Sequence, residues 1–231
     1  MSVGCIEPVP HDLPGAVELW RVDLDRYPYD PEASMFSAEE RGRAGRFQFG
    51  DDRRRFLAAH HALRHLLGLA LDREPGTLVF ETAAHGKPRL RDARGLEFNL
   101  SHSGHECLIG ISDARSIGVD VEVVQPVLDA DALAKRHFTP SEFEQWGRVP
   151  AAGRARVFLR GWTRKEACLK ALGVGLLVQP IRMETGFDDG VRTVVAVSGS
   201  SGVDIALVSV DLLGAVVGAV ALAAAAAQEG L

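Results

Sequence analysis

The chain has 231 residues, 46% of them apolar and 25% charged, with a formal net charge of −5. That length and apolar content can build one large core or two small ones. An acidic balance without a zinc-knuckle or aromatic RNA-binding signature argues against a nucleic-acid binder, and three cysteines with no CxxC pair (Cys5, Cys107, Cys168) point to reduced thiols without structural zinc.

In chain order, residues 16–24 alternate as an opening strand. Residues 41–55 carry six arginines against two acids, a local basic patch on an acidic protein. Two readings are open there, an anion site and a solvated helix start. Residues 56–69 form an amphipathic helix with Leu57, Leu63, Leu66 and Leu67 toward the core. Residues 77–80 read as a strand, and Gly86-Lys87-Pro88 as a turn. In the next strand, Phe98, Leu100 and His102 share one face while Asn99, Ser101 and Ser103 share the other, and Gly104 closes the run. Hydroxyls, an imidazole and a lysine suit an anionic ligand, although a histidine beside an apolar strand suits a satisfied core position equally. Ser101 and His102 do not make a nucleophile and base, because strand neighbours point to opposite faces and no Gly-x-Ser-x-Gly elbow surrounds them. Residues 107–112 are a further strand, and residues 112–116 are the natural boundary between a first half, 1–114, and a second, 115–231.

The second half opens on residues 117–124, where alternation puts Asp120 and Glu122 on one face and Val119, Val121 and Val123 on the other. The two acidic Cα atoms would lie roughly 6 to 7 Å apart. Like charges that close repel, and burial adds to the cost. A hard divalent cation would relieve both penalties; a half-exposed edge strand with a solvated acidic face is the other reading. A helix is expected at 130–136. The segment 125–156, broken by Pro126, Pro140 and Pro150, offers Lys135, Arg136, Arg148, Arg154 and Arg156 to an acidic partner or to solvent. Residues 158–172 read as a helix ended by Gly173, with Trp162, Lys165, Glu166, Leu169 and Lys170 on one broad stripe. Glu166 and Lys170 also form an i,i+4 pair that any solvated helix could carry. Of 26 basic residues only four are lysines, and three of them, Lys87, Lys165 and Lys170, sit in these motifs. Ammonium can meet a phosphate and release a proton, which guanidinium cannot. Strands are expected around 191–197, 205–210 and 216–222, ahead of an alanine tail. The apolar stretch 212–227 falls short of the roughly 20 residues that span a bilayer. No basic segment followed by an apolar run opens the sequence, so no signal peptide is expected.

Taken together, Gly86-Lys87-Pro88, Phe98-Asn99-Leu100-Ser101-His102-Ser103, Ile117-Gly118-Val119-Asp120-Val121-Glu122 and the run from Trp162 to Leu176 resemble the ordered motifs of 4'-phosphopantetheinyl transferases. Length and spacing are similar to the surfactin-type subgroup, in which one chain carries two related halves. The resemblance implies an α+β fold of two similar halves related by a pseudo-two-fold, each a small antiparallel sheet packed on a long helix. It implies Mg2+-dependent transfer of phosphopantetheine from coenzyme A to a serine of an apo carrier protein or carrier domain, releasing adenosine 3',5'-bisphosphate. The carriers would be those of fatty-acid, polyketide or nonribosomal peptide synthesis. Asp120, Glu122 and Glu166 would hold the metal. Glu166 or a water on the ion would take the serine proton, Lys170 would neutralise the leaving phosphate, and Lys165 would assist on the diphosphate. Lys87, Ser101 and His102 would contact the 3'-phosphate and adenine side. Arg43 and Arg55 match the remaining phosphate positions, although Glu40 stands where the family pattern has a lysine. A cytoplasmic monomer that binds neither nucleic acid nor membrane is expected. Two rivals use the same residues: a Mg2+-dependent diphosphate hydrolase, and an idle coenzyme A sensor with no need of Glu166.

Overall fold

A computed structural model describes residues 4–83, 86–197, 203–212 and 214–224. Eleven strands and five helices are described: β1 Ile6–Pro8, β2 Val17–Asp23, α1 Ala38–Ala44, α2 Gly50–Leu71, β3 Phe80–Thr82, β4 Pro88–Leu90, β5 Leu96–Ser103, β6 Glu106–Asp113, β7 Ile117–Val123, α3 Ala130–His137, α4 Pro140–Gly147, α5 Ala151–Leu172, β8 Met183–Glu184, β9 Arg192–Val197, β10 Val203–Leu212 and β11 Val216–Ala223. Two antiparallel sheets carry the fold, in the orders β1-β2-β6-β5 and β7-β11-β10-β9-β8, beside a small β3-β4 ribbon.

Period-two alternation sorts the strand residues into layers. On β6, Cys107, Ile109 and Ile111 face α2, where Ala58, Ala62, Leu66 and Leu67 meet them. Leu108 faces the second sheet and packs with Ile117, Val119 and Val121 of β7 and Val216, Val220 and Leu222 of β11. The intervening residues Ala219 and Ala221 turn outward onto Ala167, Cys168 and Ala171 of α5. The order of layers is therefore helix, sheet, sheet, helix, with the apolar seam between the sheets as the middle core.

Both halves repeat one element order. β2 is followed by α2 and the β5-β6 hairpin, and β2 pairs antiparallel with β6. β7 is followed by α5 and the β10-β11 hairpin, and β7 pairs antiparallel with β11. Each central helix has 22 residues. Two expectations change, and a third falls outside the described residues. Both long helices begin earlier than the apolar pattern indicated, α2 at Gly50 and α5 at Ala151, because their first turns are polar or small and lie outside the core stripe. Residues 75–77 form a helical turn led by Pro75, so the strand starts only at Phe80. The alanine tail beyond Ala224 lies outside the described residues. As the sequence indicated, Gly173 ends α5 in the left-handed conformation, φ 64.

Gly118 sets the depth of the site. A Cβ there would lie 2.1 Å from the Ala167 carbonyl oxygen and 2.3 Å from the Ala171 nitrogen, so the backbone of α5 rests directly on β7. Gly118→Ala should therefore force the helix off the strand. The expected cost is about 1–3 kcal/mol or more in urea denaturation, with activity falling alongside stability, and an unchanged midpoint would refute the close approach.

A candidate active site at the junction of the two sheets

β5 is an edge of the first sheet and β7 an edge of the second, and side chains rather than a backbone ladder join them. Asn99 Oδ1 accepts from the Val119 N–H at 2.9 Å. Ser101 Oγ donates to Asp120 Oδ1 at 2.7 Å. Ser103 Oγ donates to Glu122 Oε2 at 2.6 Å and accepts from the Val123 N–H at 3.3 Å. These contacts use every second residue of β5, which places its polar face on β7 while Phe98 and Leu100 pack with α2.

From α5, Lys170 Nζ donates to Asp120 Oδ1 at 2.6 Å, to Ser101 Oγ at 3.2 Å and to the Val119 carbonyl at 3.2 Å. Asp120 is only 5% exposed, and its second oxygen is buried without a hydrogen-bond partner. Burial lifts the Asp120 carboxyl above the usual carboxylate range even against Lys170 and Ser101. Glu122 is raised too, by burial first and then by Asp120 despite its bond to Ser103. Glu166 is raised by burial and by the charges of Asp120 and Glu122, with Lys170 opposing. The three acids thus lie within electrostatic reach of one another, with Lys170 as the neighbouring cation.

Whether this set suits a metal is a question of donor chemistry and geometry. Three carboxylates, one with an orphaned buried oxygen, match the all-oxygen preference of a hard divalent ion. Among the described residues, however, no three His, Cys, Asp or Glu side chains are gathered around a common point. Lys170 holds Asp120 instead, so coordination would require Asp120 to exchange its ammonium partner.

On the far side of β5, His102 has a depressed pKa, caused by desolvation and then by the positive charges of Lys170 and Arg43, with Arg55 adding. Arg43 of α1 lies over the Phe56 ring at 5.3 Å and has no ion pair among the described residues. Arg55 instead grips Asp25 with two bonds of 2.8 and 2.9 Å, and Arg54 joins it on the same carboxylate. Arg55 leads the causes that hold Asp25 down at about 2. Arginines from the first half and acids from the second therefore flank β5.

Two expected members of the site lie elsewhere. Lys87 Nζ donates to Ser116 Oγ at 2.6 Å and to the Ile117 carbonyl at 3.0 Å, and Ser116 Oγ donates on to the Ala171 carbonyl at 2.6 Å. It clips the start of β7 to the end of α5. Lys165, expected on the stripe of Glu166 and Lys170, is fully buried on another side of the helix. Its Nζ lies 2.6 Å from Glu142 Oε2 and also donates to the Pro180 and Met183 carbonyls. The stripe divides because Trp162, Glu166 and Lys170 stay partly exposed while Lys165 and Leu169 turn into the protein. Glu142 also accepts from the Thr185 and Gly186 N–H groups at 2.7 and 2.9 Å, and despite burial Lys165, with the Thr139 and Gly186 N–H groups, holds its pKa below the usual range. Sequence reasoning missed Glu142, although Thr139-x-x-Glu142 is a readable capping box and forms as one. Asn99 and Ser103, legible in the sequence only as part of one polar strand face, are hydrogen-bond partners of β7 at the seam.

The fold and this junction define a two-sheet α+β enzyme scaffold with a carboxylate and lysine cluster at the seam. Two family models divide the chain: the 4'-phosphopantetheinyl transferase superfamily over residues 116–220, and the 4'-phosphopantetheinyl transferase N-terminal family over residues 24–112. The chain is 42% identical over 173 residues to the 4'-phosphopantetheinyl transferase HetI of Nostoc sp., covering 71% of each chain. It is 35% identical over 140 residues to psf-1 of Bacillus pumilus, covering 61% of this chain and 59% of that one. To Sfp of Bacillus subtilis it is 29% identical over 143 residues, covering 62% of each. The chain belongs to the 4'-phosphopantetheinyl transferase family, a family of transferase enzymes. Among the described residues, no helix is long and apolar enough to cross a membrane.

Two lysines five residues apart should respond unequally. Lys165→Met strands a fully buried Glu142 and should cost about 3–5 kcal/mol of stability, whereas Lys170→Met removes a partly exposed partner from an Asp120 whose raised pKa lets it protonate, and should cost less, about 1–2 kcal/mol. Equal losses in chemical denaturation would refute this separation. A pH effect follows from His60, whose Nδ1 lies 3.1 Å from the Phe56 carbonyl oxygen and whose pKa burial pushes down to about 4. The unfolded imidazole titrates near 6.5, so between about pH 6.5 and 4 the unfolded state binds the extra proton and stability falls as pH falls. His60→Gln should flatten that slope in urea titrations at pH 7 and pH 5, and an unaltered slope would refute the assignment.

Proposed function

We propose that this chain transfers 4'-phosphopantetheine from coenzyme A to a serine hydroxyl of an apo carrier protein, with Mg2+ as cofactor and adenosine 3',5'-bisphosphate as second product. The observation that carries the reading is the buried Asp120, half satisfied by Ser101 and Lys170 and within electrostatic reach of Glu122 and Glu166. A cluster of that charge is expensive without a function. Magnesium held by Asp120, Glu122 and Glu166 would supply charge neutralisation to the diphosphate.

The remaining work falls to the chain itself. Phosphoryl transfer needs positioning and charges aimed at the phosphate oxygens more than covalent help. Lys170, partly exposed and tethered through Asp120, is placed to meet a leaving phosphate. Glu166, one turn earlier on α5, is the proposed acceptor of the serine proton. Ser101 and Ser103 orient the two strand acids. Arg43 and Arg55 form the cationic side for the 3'-phosphate, with His102 beside them as an imidazole that burial and these charges hold toward its neutral form, and an arginine already held by Asp25 would need to share or release it. Lys165 and Lys87 enter this reading as struts that fix α5, rather than as phosphate contacts.

The carrier would dock over the residues between β7 and α5. A groove of about 410 Å³ there is lined by Glu122, Pro126, Val127, Leu128, Leu133, Phe158 and Trp162. Lys135 and Arg136 in the last turn of α3 would suit an acidic carrier. We further propose the boundary between halves at 114/115, supported by the ends of the two family matches, and a pseudo-two-fold between halves, supported by the repeated element order. A cytoplasmic monomer fits three buried, reduced cysteines and a site completed within one chain.

Intact-mass analysis of a panel of apo carriers incubated with coenzyme A and Mg2+ tests the proposal. One phosphopantetheine added to a carrier is the expected result. Coenzyme A cleavage with every carrier unchanged would favour a hydrolase, and no reaction at all a sensor. Asp120→Asn should reduce transfer by about 10²-fold or more with the fold retained. Near wild-type turnover would remove Asp120 from the site.

A further inference from the structure

The arginines of residues 41–55 differ in what holds them. Arg54 and Arg55 share the carboxylate of Asp25, and Arg41 reaches Glu32 and the Ala33 carbonyl. Arg43 is held by an aromatic ring: its guanidinium carbon lies 5.3 Å from the Phe56 centroid. Phe56 is itself fixed. It is 2% exposed, its ring centroid is 4.1 Å from that of His60 with planes inclined 35°, and Phe47 packs against it at 5.3 Å. His60 is anchored in turn by the Phe56 carbonyl one turn back on α2.

A ring and a carboxylate hold an arginine with opposite consequences. A bidentate carboxylate cancels the charge and occupies the donors that a phosphate would use. A ring attracts the cation through its face and leaves the N–H edge unpaired. Arg43 is thus oriented and still charged, and its charge reaches both His60 and His102.

We propose that Phe56, backed by His60, is a positioning residue that holds Arg43 ready for the 3'-phosphate of coenzyme A, and so sets the preference for coenzyme A over its 3'-dephospho form. This rests on the function proposed above and extends it to a residue that never touches the reacting atoms. Phe56→Leu removes the ring while keeping an apolar side chain.

The test is a pair of Michaelis constants for each variant. F56L should raise KM for coenzyme A about fivefold, leave KM for 3'-dephospho-coenzyme A unchanged, and move kcat less than about twofold. F56Y, which keeps the ring, should restore the wild-type ratio. On an R43Q background F56L should add nothing further, because the two act as one unit. An equal rise for both substrates, or additive effects of F56L and R43Q, would overturn the proposal. If F56L does not fold, F56M replaces it at similar volume. If the wild-type chain modifies no carrier, the proposed function fails by itself, and calorimetric binding of coenzyme A and of its 3'-dephospho form to the same variants still decides the role of Phe56.

Discussion

Close contact between a glycine and a helix governs this molecule. Because residue 118 has no side chain, α5 lies against β7 with no layer between them, and the next outward-facing positions of the strand fall beneath Glu166 and Lys170. A carboxylate at 120 is then taken out of water, which raises its pKa and leaves one oxygen unsatisfied. Lys170 and Ser101 offset part of that cost through charge and hydrogen bonding. The site is therefore poised rather than relaxed: its second strand acid and Glu166 share the same neighbourhood, Asp120 makes both harder to ionise, and Glu122 adds to the effect on Glu166.

The second sheet does not hold this arrangement alone. Two sheet edges meet at β5 and β7, and unpaired edges are ordinarily capped, charged or covered. Here Asn99, Ser101 and Ser103 take over, giving backbone and carboxylate partners at alternate positions. The same residues that close the seam orient the acids, so a loss of register between the halves would displace the acids with it. Lys87 strengthens the seam at its other end through Ser116.

Much of this was legible in the sequence because it depends on period two. Asp120 and Glu122 facing α5, the valines facing the first sheet, and the split of β5 into polar and apolar faces all follow from alternation. Lys165 was not legible. Adjacent positions on a helix differ by only about 100°, so a broad stripe can hold residues 165 and 166 together on paper while packing separates them. What decided the matter was Glu142, on another helix, with donors from Thr185 and Gly186. Such long-range polar closure leaves no periodic trace. The helix starts were read late for a related reason, since turns outside the core carry no apolar pattern.

The sparing use of lysine acquires a different meaning in this light. Three of the four lysines lie at the motifs, yet two of those three satisfy buried or half-buried acceptors: Lys87 a hydroxyl and a carbonyl, Lys165 a carboxylate and two carbonyls. A compact ammonium directs three donors from a point, which suits a small polar enclosure, whereas guanidinium needs a planar fork and more room. Arg164 makes the contrast, spreading its fork over the Thr185 and Asp188 carbonyls and Ser209. Of the three motif lysines, Lys170 alone donates to the acid cluster, and it keeps part of its side chain in solvent, where the proposed function has it meet a phosphate. The lysines next to the site thus divide into two that hold α5 in place and one that the placement of α5 sets beside the acids.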